Sequence, residues 1–292
     1  MNPDWQNNHQ RSGCCSRMLM ALIIVVIGFA TYLSNTQENP ITGKKQHVSL
    51  TPNEEIQLGI QAAPEMSSEM GGELPPSHIK TKEVIRIGNQ ILQQSRAHRG
   101  PWQFQFHIVN DPKTINAFAL PGGQIFITLG LLNSLETEAQ LAGTLSHEMG
   151  HVIQRHAAQQ MAKGQLGNIL VTAAQVGVDS NHAYQAGMVA QMVNNMLQLK
   201  YGRSDELEAD LWGIILMVEA GYHPEAMIEV MEILKQKGAS SNQPEMLLTH
   251  PYPESRIDQI KEYLAKNPQK NEKLTQGRKL KDIWDRTNKG AD

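Results

Sequence analysis

The chain has 292 residues, 40% hydrophobic and 19% charged, which is material for one large domain with appendages. A formal charge of −3 gives no general attraction to nucleic acid, and no basic patch interleaved with aromatics occurs, so nucleic-acid binding is disfavoured. Cys14 and Cys15, the only cysteines, both precede an apolar stretch and cannot staple the residues beyond it.

After a polar leader (1–17), Met18 to Leu33 is almost wholly apolar. No charge falls between Arg17 and Glu38, which allows about 20 residues, or about 30 Å of helix. Residues 18–37 therefore read as a single membrane anchor in contact with the lipid bilayer. The alternative is a cleaved signal peptide, against which stand the long leader and the lack of a small-x-small site around Phe29 to Ser34. Arg11 and Arg17 lie close before the segment and Lys44 and Lys45 further after it, which leans toward an N-terminus in the cytoplasm. Residues 38–50 are a polar linker with Pro40 and Gly43.

Thr51-Pro52-Asn53-Glu54 opens a helix with a capping box, which Pro64 should end or kink, with any continuation stopping by Met70. After Gly71-Gly72 and Pro75-Pro76, the apolar positions Val84, Ile85, Ile87, Ile91 and Leu92 mark an amphipathic helix. Gln103 to Val109 reads as a strand, and Thr114 to Ala119 with Gln124 to Thr128 reads as a hairpin around Leu120-Pro121-Gly122-Gly123. The expected fold is α+β and mainly helical, with a small sheet beside the helix that comes next.

Thr137 to Gln140 caps a mostly apolar run, Leu141 to His151, that ends in His147-Glu148-Met149-Gly150-His151. At about 100° per residue the two histidines share a helix face and can close on one metal. Glu148 sits one step round, displaced from ligation but within reach of a water in an open coordination position. A catalytic zinc needs a third protein ligand. His156 is off the spacing for it and reads as a surface or outer histidine elsewhere on the helix. The better candidate is Glu206, four residues before Asp210 on a second helix in which Glu208 points away. Glu206 would coordinate the metal, while Asp210 would accept the outer N–H of a ligand histidine. Taken alone, these acids would be an ordinary acidic first turn that complements the helix dipole.

Gly164 to Leu199 suggests two helices broken at Asp179-Ser180-Asn181, the second carrying Met188, Met192 and Met196 on one face as core or groove lining. Gly221 to Pro224 ends the Glu206 helix; a helix over Glu225 to Lys235, a loop over Lys237 to Pro244 and a last helix from Pro253 to about Ala265 come after it. His250, ahead of Pro251, is by position a turn residue. Beyond about Asn267 the polar, lysine-rich residues 268–292 predict a weakly ordered tail, leaving 51–267 as the domain.

Taken together, His147-Glu148-Met149-Gly150-His151, Arg203 with Glu206 to Asp210, Asn116 to Gly123, and Thr249-His250-Pro251 with Pro253 to Arg256 resemble motifs of a zinc metallopeptidase family. That family includes HtpX, the CAAX prenyl endopeptidases and the bacterial BepA and LoiP proteases, and the single anchor is similar to the last branch. The resemblance covers roughly residues 50 to 265 and implies a zincin-like metallopeptidase domain with one Zn2+. It also implies that Asn116, Ala117, Phe118 and Ala119 form an edge strand for extended substrate backbone, where a plain core hairpin is the alternative. By the same resemblance His250 lies near the zinc, in an electrophilic role or as a cap on a latent site. The function expected is a membrane-anchored zinc metalloendopeptidase, with Glu148 as general base, acting on misfolded or membrane-associated proteins in envelope quality control. Its place would be the bacterial inner membrane with the catalytic domain in the periplasm, or the periplasm after signal cleavage. The alternative from another class is a metal-binding chaperone or scaffold with latent activity.

Overall fold

A computed structural model describes residues 8–177, 200–238, 244–251, 253–268 and 273–288. These belong to two compact units, Met1–Thr51 with Ala158–Gly187, and Pro52–Ala157 with Met188–Asp292.

In the first unit, helix α1 (Asn8–Ser34) contains a segment, Ser16–Ser34, long and apolar enough to cross a membrane, and its large apolar side chains are exposed. The expected linker is more structured than its polarity suggests. Strands β1 (Thr36–Glu38) and β2 (Lys45–His47) pair antiparallel, because the buried Asn39 side chain accepts from the N–H groups of Ile41 and Thr42 and closes the turn between them.

In the second unit, α2 (Pro52–Glu69) starts at the expected proline and runs past Pro64, and α3 (Ile79–Gln94) buries Val84, Ile87 and Ile91. Strands β3 (Gln105–Val109), β4 (Ala117–Ala119) and β5 (Gln124–Thr128) form a sheet ordered β3-β5-β4. The β4–β5 hairpin is as expected, with Ala119 opposite Ile125, whereas β3 joins the far side of β5 in parallel. That leaves β4 at an edge and β5 buried along its whole length.

A single turn, α4 (Leu129–Leu132), leads to α5 (Glu138–Ile153), in which every residue is buried. Thr137 Oγ1 accepts from the Gln140 N–H at 3.2 Å, while the Gln140 side chain returns to the N–H of Glu136. Helix α6 (His156–Gly177) begins shortly after it, and the methionine run 188–196 lies outside the described residues. Helices α7 (Arg203–Glu219), α8 (Ala226–Gly238), α9 (Glu245–Thr249) and α10 (Pro253–Lys266) come next, with α8 extending beyond the expected 225–235.

The C-terminal segment departs from the weakly ordered tail expected of its composition. The carbonyls of Arg278 and Gln276 accept from the N–H groups of Glu138 and Ala139 at 3.0 Å, supplying partners that the first turn of a helix otherwise lacks. Arg278 also pairs with Glu138 and Glu83, and α11 (Leu280–Asn288) buries Leu280 and Ile283. A polar stretch is thus ordered by the buried helix end that needs it.

Candidate metal centre

Helices α5 and α7 cross at two glycines. A Cβ on Gly150 would lie 2.7 Å from the carbonyl oxygen of Ala209, and one on Gly213 would lie 3.3 Å from the backbone nitrogen of His147. The missing side chain at Gly150, and the tight fit at Gly213, let the two backbones approach closely enough to bring Glu206, on the first turn of α7, against His147 and His151, on the last turns of α5. All three side chains are buried.

His151 Nε2 stands 3.1 Å from His147 Nε2, and Glu206 stands 3.6 Å from His147 Nε2 and 3.5 Å from His151 Nε2. His250, brought in between α9 and α10, adds its Nδ1 at 3.3 Å from His147 Nε2 and 3.0 Å from Glu206 Oε1. Metal bonds of about 2.0–2.1 Å set at tetrahedral angles put neighbouring ligand atoms about 3.3 Å apart. The four donor atoms, all within 4.8 Å of one another, therefore fit one ion of that size.

Glu148 is fully buried beside this cluster, and neither carboxylate oxygen has a hydrogen-bond partner among the described residues. Its Oε1 is 3.7 Å from His250 Nε2. Burial pushes the Glu148 carboxyl up, against the pull of His250 and His147. Glu206 goes the other way: burial raises it, but His250 and Arg256 outweigh burial and hold it well below the usual carboxylate range. A buried carboxylate without a hydrogen-bond donor, beside a cluster of ligand-type nitrogens and oxygens, has the donor set a divalent cation satisfies.

Asp210 lies 2.9 Å from His147 Nδ1, on the ring edge opposite the cluster. Two contributors had no role assigned from the sequence. Arg256 is buried, with guanidinium nitrogens 2.6 Å from Glu206 and 2.6 Å from Asp210. Tyr201, just before α7, stacks on His151 with ring centroids 4.0 Å apart. An arginine in an amphipathic helix and a tyrosine before a glycine give no local signal of this placement, although Arg256 closes the Pro253 to Arg256 motif.

Of the two places the sequence left open for His156, at the surface or just outside the cluster, it takes the second. On an uninterrupted helix it would lie about 140° around from His151. Instead α5 ends at Ile153, Arg155 takes a left-handed conformation (φ 56°), and buried His156 turns back with Nδ1 2.9 Å from His151 Nδ1. It is not a surface residue. Glu208 points away from the cluster, as expected, and its Oε2 comes within 3.5 Å of His156 Nε2.

Asn116 and Ala117 to Ala119 sit at the sheet edge, with α5 packed against β4. The Asn116 amide donates to Glu245, and the Ile115 carbonyl accepts from the Met246 N–H at 3.1 Å, so the segment carrying His250 is tied to the start of this edge.

Residues 78–264 match the sequence model of Peptidase family M48. The chain is 29% identical over 252 residues to the mitochondrial metalloendopeptidase OMA1 of Schizosaccharomyces pombe, covering 85% of this chain and 72% of that protein. With the beta-barrel assembly-enhancing protease of Escherichia coli it shares 31% identity over 229 residues, 75% of this chain and 45% of the relative. With that of Yersinia pestis the figures are 34% over 189 residues, 61% and 37%. The chain thus spans less than half of these two bacterial proteins. A matched region that contains His147, His151, Glu206 and His250 together with Glu148 and Arg256 settles the affiliation: the chain belongs to peptidase family M48, and the matched region is a metallopeptidase domain.

Proposed function

We propose that this chain is a zinc metalloendopeptidase anchored in the bacterial inner membrane through residues 18–37, with its domain in the periplasm, acting on misfolded or membrane-associated envelope proteins. The observation that carries this reading is the juxtaposition of His147, His151 and Glu206 at tetrahedral-edge separations with the Glu148 carboxylate, which has no hydrogen-bond partner among the described residues, beside them. His147 and His151 would hold zinc through Nε2 and Glu206 through its carboxylate, with Asp210 fixing the His147 tautomer from the other edge of the ring. When bound, zinc supplies a Lewis acid that polarises the scissile carbonyl and makes water acidic enough to deprotonate near neutral pH. Glu148 takes the proton of the attacking water and passes it to the departing amine as the carbon–nitrogen bond breaks. The edge strand Asn116 to Ala119 orients extended substrate backbone by strand pairing.

The names of the relatives support a role in the envelope: one is a beta-barrel assembly-enhancing protease and another a mitochondrial metalloendopeptidase. Anchoring is supported by the exposed apolar side chains of Ser16–Ser34.

A second reading is favoured by His250, whose Nδ1, 3.3 Å from His147 Nε2 and 3.0 Å from Glu206 Oε1, would compete with water for a bound zinc. In that state the chain is latent, and a metal-binding chaperone or scaffold would look the same in a simple assay. Casein cleavage by wild type, Glu148→Gln and His250→Ala in parallel separates these readings. Wild type or His250→Ala cleaves and Glu148→Gln does not if the peptidase reading holds, and His250→Ala is the faster if His250 caps the metal. Equal cleavage by wild type and Glu148→Gln removes the peptidase assignment. No cleavage by any of the three, in zinc-loaded protein, leaves the scaffold.

A further inference from the structure

The two histidines of the cluster are held from behind by different chemistry. His147 presents Nδ1 to a carboxylate, Asp210, which is itself neutralised by Arg256. His151 presents Nδ1 to another imidazole nitrogen, that of His156, at 2.9 Å. Two nitrogens at that distance need one proton between them, so one ring donates and the other accepts. The direction is set at the far edge of His151, where Nε2 faces His147 Nε2 at 3.1 Å and Glu206 at 3.5 Å. A neutral imidazole that keeps its Nε2 lone pair for a metal carries its proton on Nδ1, and the acceptor must be His156 Nδ1. His156 then carries its own proton on Nε2, and the group facing that nitrogen is the Glu208 carboxylate at 3.5 Å.

We infer that His156 is a positioning residue for zinc, fixing the tautomer and ring angle of His151 as the middle of a chain from His151 through His156 to Glu208. The inference rests on the zinc-site reading. The backbone is built for it: only the left-handed turn at Arg155 brings His156 back onto His151, and that turn is held by the buried pair of Arg155 with Glu55 at 2.6 Å. Tyr201 fixes the face of the His151 ring and His156 its edge, so both rotations of the ligand are constrained. Outer partners of ligand histidines commonly contribute about 10–100-fold in metal affinity.

The test compares two substitutions of nearly equal size. In His156→Asn the side-chain oxygen can stand where Nδ1 stands and still accept; in His156→Leu nothing can. Zn2+ affinity of the full chain in detergent is measured by competition with a chromophoric chelator, alongside wild type and Glu206→Ala. The expected result is a loss of about 10–100-fold in His156→Leu, with His156→Asn within about threefold of wild type. Equal losses in both, or none in His156→Leu, overturn the inference, since packing and not the acceptor would then be at work. Zinc-loaded wild type gives a second readout that needs no variant to fold: a nitrogen–nitrogen coupling through the hydrogen bond between His151 Nδ1 and His156 Nδ1, whose absence also overturns it. If Glu206→Ala binds zinc as tightly as wild type, the zinc-site reading itself fails and takes this inference with it.

Discussion

Replacing Arg256 by Met keeps much of its volume but removes the guanidinium in contact with both Glu206 and Asp210, two carboxylates with essentially no solvent exposure. Breaking a buried ion pair by removing one partner costs about 3–5 kcal/mol, because a charge is left without compensation in a medium that solvates it poorly. Here two charges are affected, but Asp210 keeps His147 and Glu206 keeps His250, so the same range applies. In a domain of this size each kcal/mol moves the melting midpoint by about 2–4 °C, so metal-free Arg256→Met should melt about 6–20 °C below wild type by circular dichroism. Arg256→Lys, which keeps the charge but loses the planar fork, should fall between them. The pH dependence has a definite sign. Burial raises Asp210 and Glu206, but Arg256 for the first and His250 with Arg256 for the second outweigh it and hold both below the usual carboxylate range. Their contribution is fully present above the ordinary carboxylate pKa and is lost as pH falls through the lower native values, so the gap between wild type and Arg256→Met should narrow on acidification. A midpoint within about 2 °C of wild type at neutral pH, less than about 1 kcal/mol, would refute the reasoning.

Gly150→Ala should cost about 1–3 kcal/mol, because the new Cβ meets the Ala209 backbone, which cannot swing aside. The same parting of α5 and α7 should weaken Zn2+ binding by about tenfold or more, equivalent to about 1.4 kcal/mol, and unchanged binding would show that the crossing does not set the site. Leu280→Ala should destabilise by about 2–5 kcal/mol in denaturant titrations, since Leu280 is fully buried; a loss below about 0.5 kcal/mol would mean the C-terminal segment does not brace α5. Deleting residues 1–37 should convert a protein that resists alkaline extraction from membranes into a soluble one, and a full-length chain released by alkali would contradict the anchor.

What could be read in the chain beforehand was whatever depends on local pattern. Two histidines four apart on an apolar helix, a capping threonine at 137, and a Pro-Gly-Gly turn between two short strands each carry their geometry within a few residues. That Glu206 would come close to His147 and His151 was legible only by asking what the two histidines lacked, because acids four apart before an apolar run are by themselves an ordinary helix start. What escaped were features settled by distant partners. The parallel pairing of β3 with β5 has no turn to announce it. The end of α5 falls at an arginine in a left-handed conformation, where a glycine would have flagged the break, so the return of His156 to His151 was hidden. Arg256 stood in the Pro253 to Arg256 motif without a role, which only the fold supplies by setting it between two carboxylates. The polar C-terminal segment around Gln276 and Arg278 is held where its carbonyls accept from the Glu138 and Ala139 N–H groups of a buried helix end far earlier in the chain.

Whether His147, His151 and Glu206 grip one ion decides everything else about this site. Anomalous X-ray scattering at the zinc edge, from crystals of the purified chain grown with Zn2+, addresses it directly. One stoichiometric peak between His147 Nε2, His151 Nε2 and the Glu206 carboxylate, lost in Glu206→Ala, is the predicted result. A zinc peak elsewhere, or one at this position that survives Glu206→Ala undiminished, would contradict it.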